Sequence, residues 1–134
     1  MTKVFLDSNI IVYAFGEDQR NATAVGLLAE GGAISVQVLN EFVNVARRKL
    51  HFEWSQIEDA LTAIRTLATA IYPIDDEVHT NAVGLAKTYG FSFYDALIVA
   101  AALKAKCTVL YSEDMQHGRI VEDQLEIRNP FLNV

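Results

Sequence analysis

Apolar positions along this chain follow two rhythms: short unbroken runs, and longer stretches that repeat every three to four residues. Residues 2–6, with Val4-Phe5-Leu6 at their end, are a run of the first kind and predict a short strand. Asn9 to Phe15 has helical spacing. Gly16-Glu17-Asp18 breaks it, and Arg20 to Glu30 predicts a second helix that Gly31-Gly32 ends. Ala33 to Val36 predicts a strand and Gln37 to Leu50 an amphipathic helix. Ser55 to Thr69 predicts another helix, with Ser55 and Glu58 spaced as a capping box at its start. Ala70 to Ile74 is a strand candidate that ends near Pro73. Asp75 to Tyr89 carries acids in its first turn and Lys87 in its last, the charge order that suits a helix dipole, and Gly90 terminates it. Tyr94 to Lys106 is apolar on nearly all sides, so it predicts a deeply buried helix. Thr108 to Tyr111 predicts a strand and Leu125 to Arg128 a last short one. Short apolar strands alternating with amphipathic helices predict an α/β fold with a mostly parallel, short-stranded sheet flanked by helices. No repeat, low-complexity tract or linker interrupts the pattern, so residues 1–134 read as a single domain.

Composition narrows the class. A chain of 134 residues can bury a core without disulfide or metal staples, and an apolar fraction of 51% excludes a disordered protein. The longest apolar run, Ala96 to Leu103, is too short to cross a membrane. Asp7 falls inside the one apolar stretch that could serve a signal peptide, and the lone Cys107 has no disulfide partner, so a cytoplasmic protein is expected. The net charge of −6 weighs mildly against nucleic acid, whose binders usually carry a basic face. That deficit shrinks if several acids share one or two divalent ions. Arg47-Arg48-Lys49 is a basic cluster, and a helix C-terminus would suit it equally well.

The candidate chemistry lies in four acids at the borders of apolar segments: Asp7, Glu41, Asp95 and Asp114. Asp7 and Asp114 follow strands, and in open α/β sheets ligands bind outside the carboxyl ends of strands. Each acid also has an ordinary role open to it. Asp7 could cap the next helix. Glu41 falls just off the apolar arc of its helix and could pair with a neighbour. Asp95 completes a Ser92-Phe93-Tyr94-Asp95 capping pattern, and Asp114 could be a turn residue. Together they form an all-oxygen donor set, which selects Mg²⁺ or Mn²⁺ over zinc and suggests chemistry on a phosphate ester. His51, His79 and His117 have no metal-ligand spacing, although His117 lies close to Asp114.

The succession Val4-Phe5-Leu6-Asp7-Ser8-Asn9, Asn40-Glu41-Phe42, Tyr94-Asp95-Ala96 before an Ala-rich helix, and Ser112-Glu113-Asp114 resembles the PIN-domain family over essentially the whole chain. Length and element order resemble its small, single-domain VapC-type toxins. The resemblance implies a PIN-like three-layer fold and a Mg²⁺-dependent ribonuclease, with Mn²⁺ as the alternative ion. It implies that Asp7 and Asp95 hold the principal ion while Glu41 and Asp114 act directly or through water. Asn9 and Ser112 match polar positions flanking those acids. Ser112 stands where Thr is common, and His117 where some members carry another acid. The resemblance also implies a homodimer and a cognate antitoxin whose Arg reaches the acids, a match that suits a guanidinium. Arg48, on the same helix side as Glu41, is a candidate contact for the RNA backbone. Phe52 and Trp54 are candidates for a partner-facing apolar patch or for the core.

Three other readings compete. A PIN nuclease that processes RNA or cuts DNA without an antitoxin keeps the fold and changes the role. A non-enzymatic PIN scaffold is disfavoured by the presence of all four acids. A phosphoacceptor receiver domain needs an acidic pair after the first strand and a Lys after the last, whereas Ser8 follows Asp7 and no Lys occurs beyond Lys106.

Overall fold

The computed structural model describes residues 3–133, which alternate strands and helices as the apolar pattern predicts. The order is β1 (Val4–Leu6), α1 (Ser8–Phe15), α2 (Asn21–Glu30), β2 (Ala33–Ser35), α3 (Val36–Arg48), α4 (Trp54–Leu67), β3 (Ala70–Tyr72), α5 (Asp76–Tyr89), α6 (Phe93–Lys104), β4 (Val109–Tyr111), β5 (Ile120–Val121) and β6 (Leu125–Arg128). The six strands form one sheet in the order β3-β2-β1-β4-β6-β5, parallel except for the pair β5–β6. From β1 the chain steps outward to β2 and β3, then returns across the sheet to β4. Parallel connections of this kind are right-handed, so the reversal sets the two groups of helices on opposite faces. The helix packing agrees: α1 packs on α2 and α3, and α3 on α4, whereas α5 packs on α6, with α3 and α6 also in contact.

The core is continuous across the sheet. Phe5, Leu6, Ile34 and Leu110 are fully buried strand residues, and Ile10, Ile11, Phe42 and Ile64 close over them from the helices. Burying a side chain of this size contributes about 1.5–3 kcal/mol. In α6 every residue from Ala96 to Ala102 is buried, and its run of alanines lets neighbouring elements approach closely. Gly31 ends α2 with φ of 86°, a conformation that side chains resist, and a Cβ on Gly32 would lie 3.0 Å from Leu6 Cγ.

Two local expectations are corrected. Ser55 does not start α4. The cap is Glu53, whose carboxylate and the Gln56 side chain satisfy each other's backbone donors, while Ser55 and Glu58 lie inside the helix. The sequence pattern also missed β5. It joins β6 through the three residues 122–124, in which Glu122 and Asp123 have φ of 54° and 52° and the Gln124 amide donates to the Val121 carbonyl. A turn of that kind usually announces itself by Asn-Gly or Asp-Gly.

Candidate active site

The reversal between β1 and β4 opens a crevice at the carboxyl ends of two adjacent parallel strands. Leu6 pairs with Tyr111, and the Asp7 amide donates to the Tyr111 carbonyl at 3.0 Å. Asp7 and Ser112 therefore leave the sheet side by side. Asp7 is 2% exposed and Ser112 is fully buried.

Asp7 does cap α1, accepting the Ser8 amide at 2.7 Å on Oδ1. Its Oδ2 accepts Ser112 Oγ at 2.6 Å and Asn9 Nδ2 at 3.2 Å. Asn9 is the crosspiece of the site. Its Nδ2 also donates to Asp114 Oδ2 at 3.2 Å, and its Oδ1 accepts the Glu113 amide at 3.2 Å. Ser112 Oγ in turn accepts the Met115 amide at 3.2 Å, so the turn after β4 is built around the same hydroxyl. Glu41 enters from α3, where Ser8 Oγ donates to its Oε1 at 2.7 Å and Gln37 Nε2 to its Oε2 at 3.0 Å. Asp95 sits in the first turn of α6, capped by Ser92, whose Oγ accepts the Asp95 amide at 3.3 Å. Asp7 and Asp95 both lie at helix N-termini, where the helix dipole favours a negative charge.

The electrostatics tie the four acids together. Burial pushes the Asp7 carboxyl up to about 7 against the pull of its bonds from Ser112 and Ser8, and the charges of Asp95 and Glu41 add to the rise. Burial also raises Asp95; the Ser92 hydroxyl opposes this, and Glu41 and Asp114 reinforce it. Among the described residues, no Lys or Arg is paired with any of the four. Neither do three His, Cys, Asp or Glu side chains among those residues form a group that could hold a metal ion unaided. Neutral donors from Ser8, Asn9, Gln37 and Ser112 occupy the carboxylate oxygens instead. A divalent ion still fits this donor set. Mg²⁺ seldom takes an all-protein cage; it keeps several waters and binds one or two carboxylates together with substrate phosphate.

Ser8 and Gln37 were missed from sequence, although Gln37 precedes Glu41 by four residues, a spacing that puts helix side chains in contact. Also missed was a clamp beside Asp114. Arg20 Nη1 lies 2.8 Å from Glu113 Oε2, Tyr13 OH donates to Glu113 Oε1 at 2.5 Å, and the Arg20 guanidinium stacks 4.6 Å from the Tyr13 ring centroid. Burial and the Glu113 carboxylate push the Tyr13 phenol up to about 12. Glu113 is thus neutralised by Arg20 and anchors the turn that carries Asp114 to α1 and to the chain after it.

Other candidates lie apart. His117 accepts the Asn129 amide on Nδ1 at 2.9 Å and serves the end of β6. Arg47 donates to the Phe52 carbonyl at 2.9 Å and lies 4.7 Å from the Trp54 ring centroid, bracing the α3–α4 corner. Phe52 packs at the margin of the core while Trp54 is exposed. Arg48 is exposed in the last turn of α3, seven residues beyond Glu41 and hence about 10 Å along the helix axis.

A chain of a toxin–antitoxin complex from Klebsiella pneumoniae superimposes with a TM-score of 0.73 at 20% identity, over 96% of this chain and 98% of its own. VapBC2 from Rickettsia felis, solved bound to a DNA fragment from its promoter, gives 0.67 at 21% identity over 96% and 100%. VapC20 of Mycobacterium tuberculosis, a toxin that cleaves the sarcin–ricin loop, gives 0.66 at 22% identity over 84% and 90%. At these identities the likeness is one of fold. No curated protein sequence matches the chain. Residues 4–122 match the PIN domain itself, and the mostly parallel sheet flanked by helices is shared with those structures, so the chain belongs to the PIN-domain family.

Proposed function

We propose that this protein is a divalent-metal-dependent endoribonuclease and the toxin of a toxin–antitoxin pair. The observation that supports the reading is the electrostatic reach among Asp7, Glu41, Asp95 and Asp114: Asp95 and Glu41 raise the buried Asp7, Glu41 and Asp114 raise Asp95, and no basic side chain is paired to any of the four among the described residues. Such an arrangement is costly without a cation.

In this reading Asp7 and Asp95 would hold Mg²⁺ or Mn²⁺, with Glu41 and Asp114 acting directly or through water. When bound, such an ion would supply activation of the attacking water and stabilisation of the charge that develops on the phosphate. The rest of the work belongs to the chain. Ser112 and Ser8 fix the rotamer of Asp7, Gln37 and Ser8 fix Glu41, and Asn9 sets the separation of Asp7 from Asp114. The buried floor keeps bulk water from one side of the site. The partner, by analogy with the toxin–antitoxin neighbours, is an antitoxin; an Arg presented to the acids and a homodimeric active form are what the family resemblance adds. RNA as substrate places the work in the cytoplasm; among the described residues no helix is long and apolar enough to cross a membrane.

Purified protein is expected to cut single-stranded RNA internally in Mg²⁺, to leave DNA of the same sequence intact, and to stop in EDTA. Asp95→Asn should be folded and inactive. Equal cleavage by Asp95→Asn would remove the acid site from the mechanism, and preferential cleavage of DNA would favour the DNA-cutting alternative. A small basic-tailed DNA-binding protein encoded next to this chain, able to block cleavage, would separate a toxin from a free-standing RNA-processing nuclease.

Arg48 gives a second test. If it holds a phosphate, Arg48→Ala weakens RNA binding alike for all sequences and reduces the magnitude of the salt slope by about 0.7. Arg47→Ala should leave the slope nearly unchanged, because Arg47 is committed to Phe52 and Trp54. Affinity measured against salt for both variants decides it; matching slopes in wild type and Arg48→Ala would make the basic run a helix terminus and nothing more.

A further inference from the structure

An acidic nuclease has a substrate problem. The chain carries a net charge of −6, and its site gathers four carboxylates where a polyanion must dock. A bound cation offsets part of that repulsion. The rest of the affinity has to come from contacts that do not depend on charge, and for an unpaired strand the strongest of these is stacking of a base on an aromatic ring.

Two aromatic side chains stand well out of the surface, Trp54 at 56% and Tyr94 at 63% exposed. The Trp54 ring already carries the Arg47 guanidinium. The Tyr94 ring carries no cation, and its hydroxyl makes no hydrogen bond among the described residues. Tyr94 is also next to one of the acids along the chain. It lies in the first turn of α6, one residue before Asp95, so the two backbones are about 3.8 Å apart while the side chains leave the helix in directions roughly 100° apart. It is backed by an aromatic row: the Phe93 centroid is 6.2 Å from that of Tyr94, and His79 meets Phe93 edge-on at 5.1 Å. Phe93 is packed against the core, so the row has a fixed root and an exposed tip. A tyrosine has only two rotatable side-chain bonds, which keeps the ordering entropy of such a contact small.

On the ribonuclease reading above, we infer that Tyr94 is a base-stacking platform that takes the face of one unpaired nucleobase beside the scissile phosphate. Since every base has such a face, the platform selects for an unpaired nucleotide more than for a sequence, and it excludes stems, whose base faces are covered. What Tyr94 would add to the proposed ribonuclease is the hold on one unpaired nucleotide beside the cut.

The test combines protein and substrate changes. Tyr94→Ala is expected to lower kcat/KM on single-stranded RNA roughly ten- to a hundredfold, chiefly through KM, while Tyr94→Phe stays within about twofold of wild type. A single abasic residue is then moved along an RNA with one cleavage site. At one position next to the cut, wild type should lose as much as Tyr94→Ala loses on intact RNA, and the two losses should not add. Equal cleavage by Tyr94→Ala and wild type, or fully additive losses at every abasic position, overturns the platform and leaves the ribonuclease reading intact. Wild-type protein that cuts no RNA in Mg²⁺ overturns the ribonuclease reading and the platform with it. Circular dichroism and thermal melting of both variants should match wild type, because the side chain is exposed.

Discussion

Asp7→Asn is expected to reduce RNA cleavage by at least about a thousandfold and, in the absence of metal, to make the protein more stable at alkaline pH. On the proposed reading, the first effect follows from removing a carboxylate that would hold the ion, a contribution to transition-state stabilisation of several kcal/mol. The second follows from burial. Asp7 is 2% exposed, and its carboxyl is raised from 3.8 to about 7. A carboxyl raised in the folded state favours folding below its unfolded value near 4 and withdraws that contribution as pH climbs through 7. The folded protein is therefore penalised above neutrality, by an amount on the order of 4 kcal/mol between pH 4 and pH 8. Asn keeps the size and can still accept the Ser8 amide, but does not ionise. Denaturant unfolding of the two proteins in EDTA across that range should show the difference in stability moving toward the variant as pH rises. A constant difference would mean that Asp7 titrates as an exposed aspartate does.

The second large effect is stabilisation by the ion itself. At pH 8 and a hundredfold excess over its dissociation constant, Mg²⁺ or Mn²⁺ should stabilise the native state by roughly 2.7 kcal/mol, a rise in Tm of roughly 10 °C. Below neutrality the ion has to displace the proton on Asp7, so its affinity should fall by about tenfold per pH unit. At pH 5 and the same concentration, the ion then sits near its dissociation constant and the stabilisation shrinks to roughly 0.4 kcal/mol. Thermal melts with and without metal at both values test this, with Asp7→Asn as the control that should lose most of the shift. Equal shifts at pH 5 and pH 8, or in wild type and variant, would place the ion away from Asp7.

The two experiments bear on one feature, a site held ready by neutral donors. Ser112, Asn9 and Ser8 stabilise the Asp7 carboxylate without neutralising it, so the charge remains for a cation. Hydrogen bonds to a charged group contribute about 1.5–3 kcal/mol each, enough to hold a rotamer but short of what burying the charge costs. The Glu113–Arg20 pair next to Asp114 shows the other solution, a carboxylate matched by its own cation and so withdrawn from metal binding.

Local order determined most of the architecture from sequence alone. Hydrophobic period separates strands from helices, and it placed Asp7 after β1, Asp114 after β4, and Glu41 and Asp95 on the helices that carry them. Those properties depend on neighbours within a few residues, which is why they are legible along a chain. The signals that misled were equally local: Ser55 with Glu58 has capping-box spacing, yet Glu53 and Gln56 form the cap two residues earlier. β5 escaped because its turn opens on Glu122, which seldom takes positive φ, and carries no Gly to announce it. Only the tertiary structure could decide which side chains meet. Ser112 and Asp7 are joined across 105 positions, Asn9 and Asp114 across 105, and Arg20 and Glu113 across 93. Tyr94 and Phe93 are neighbours of the same chemical type, and packing sets Phe93, partly buried, against the core while leaving Tyr94 63% exposed next to Asp95 in sequence. The return of the chain from β3 across the sheet to β4 brings β1 and β4 together. That contact buries Asp7, and burial turns an ordinary aspartate at a helix start into a carboxyl raised to about 7.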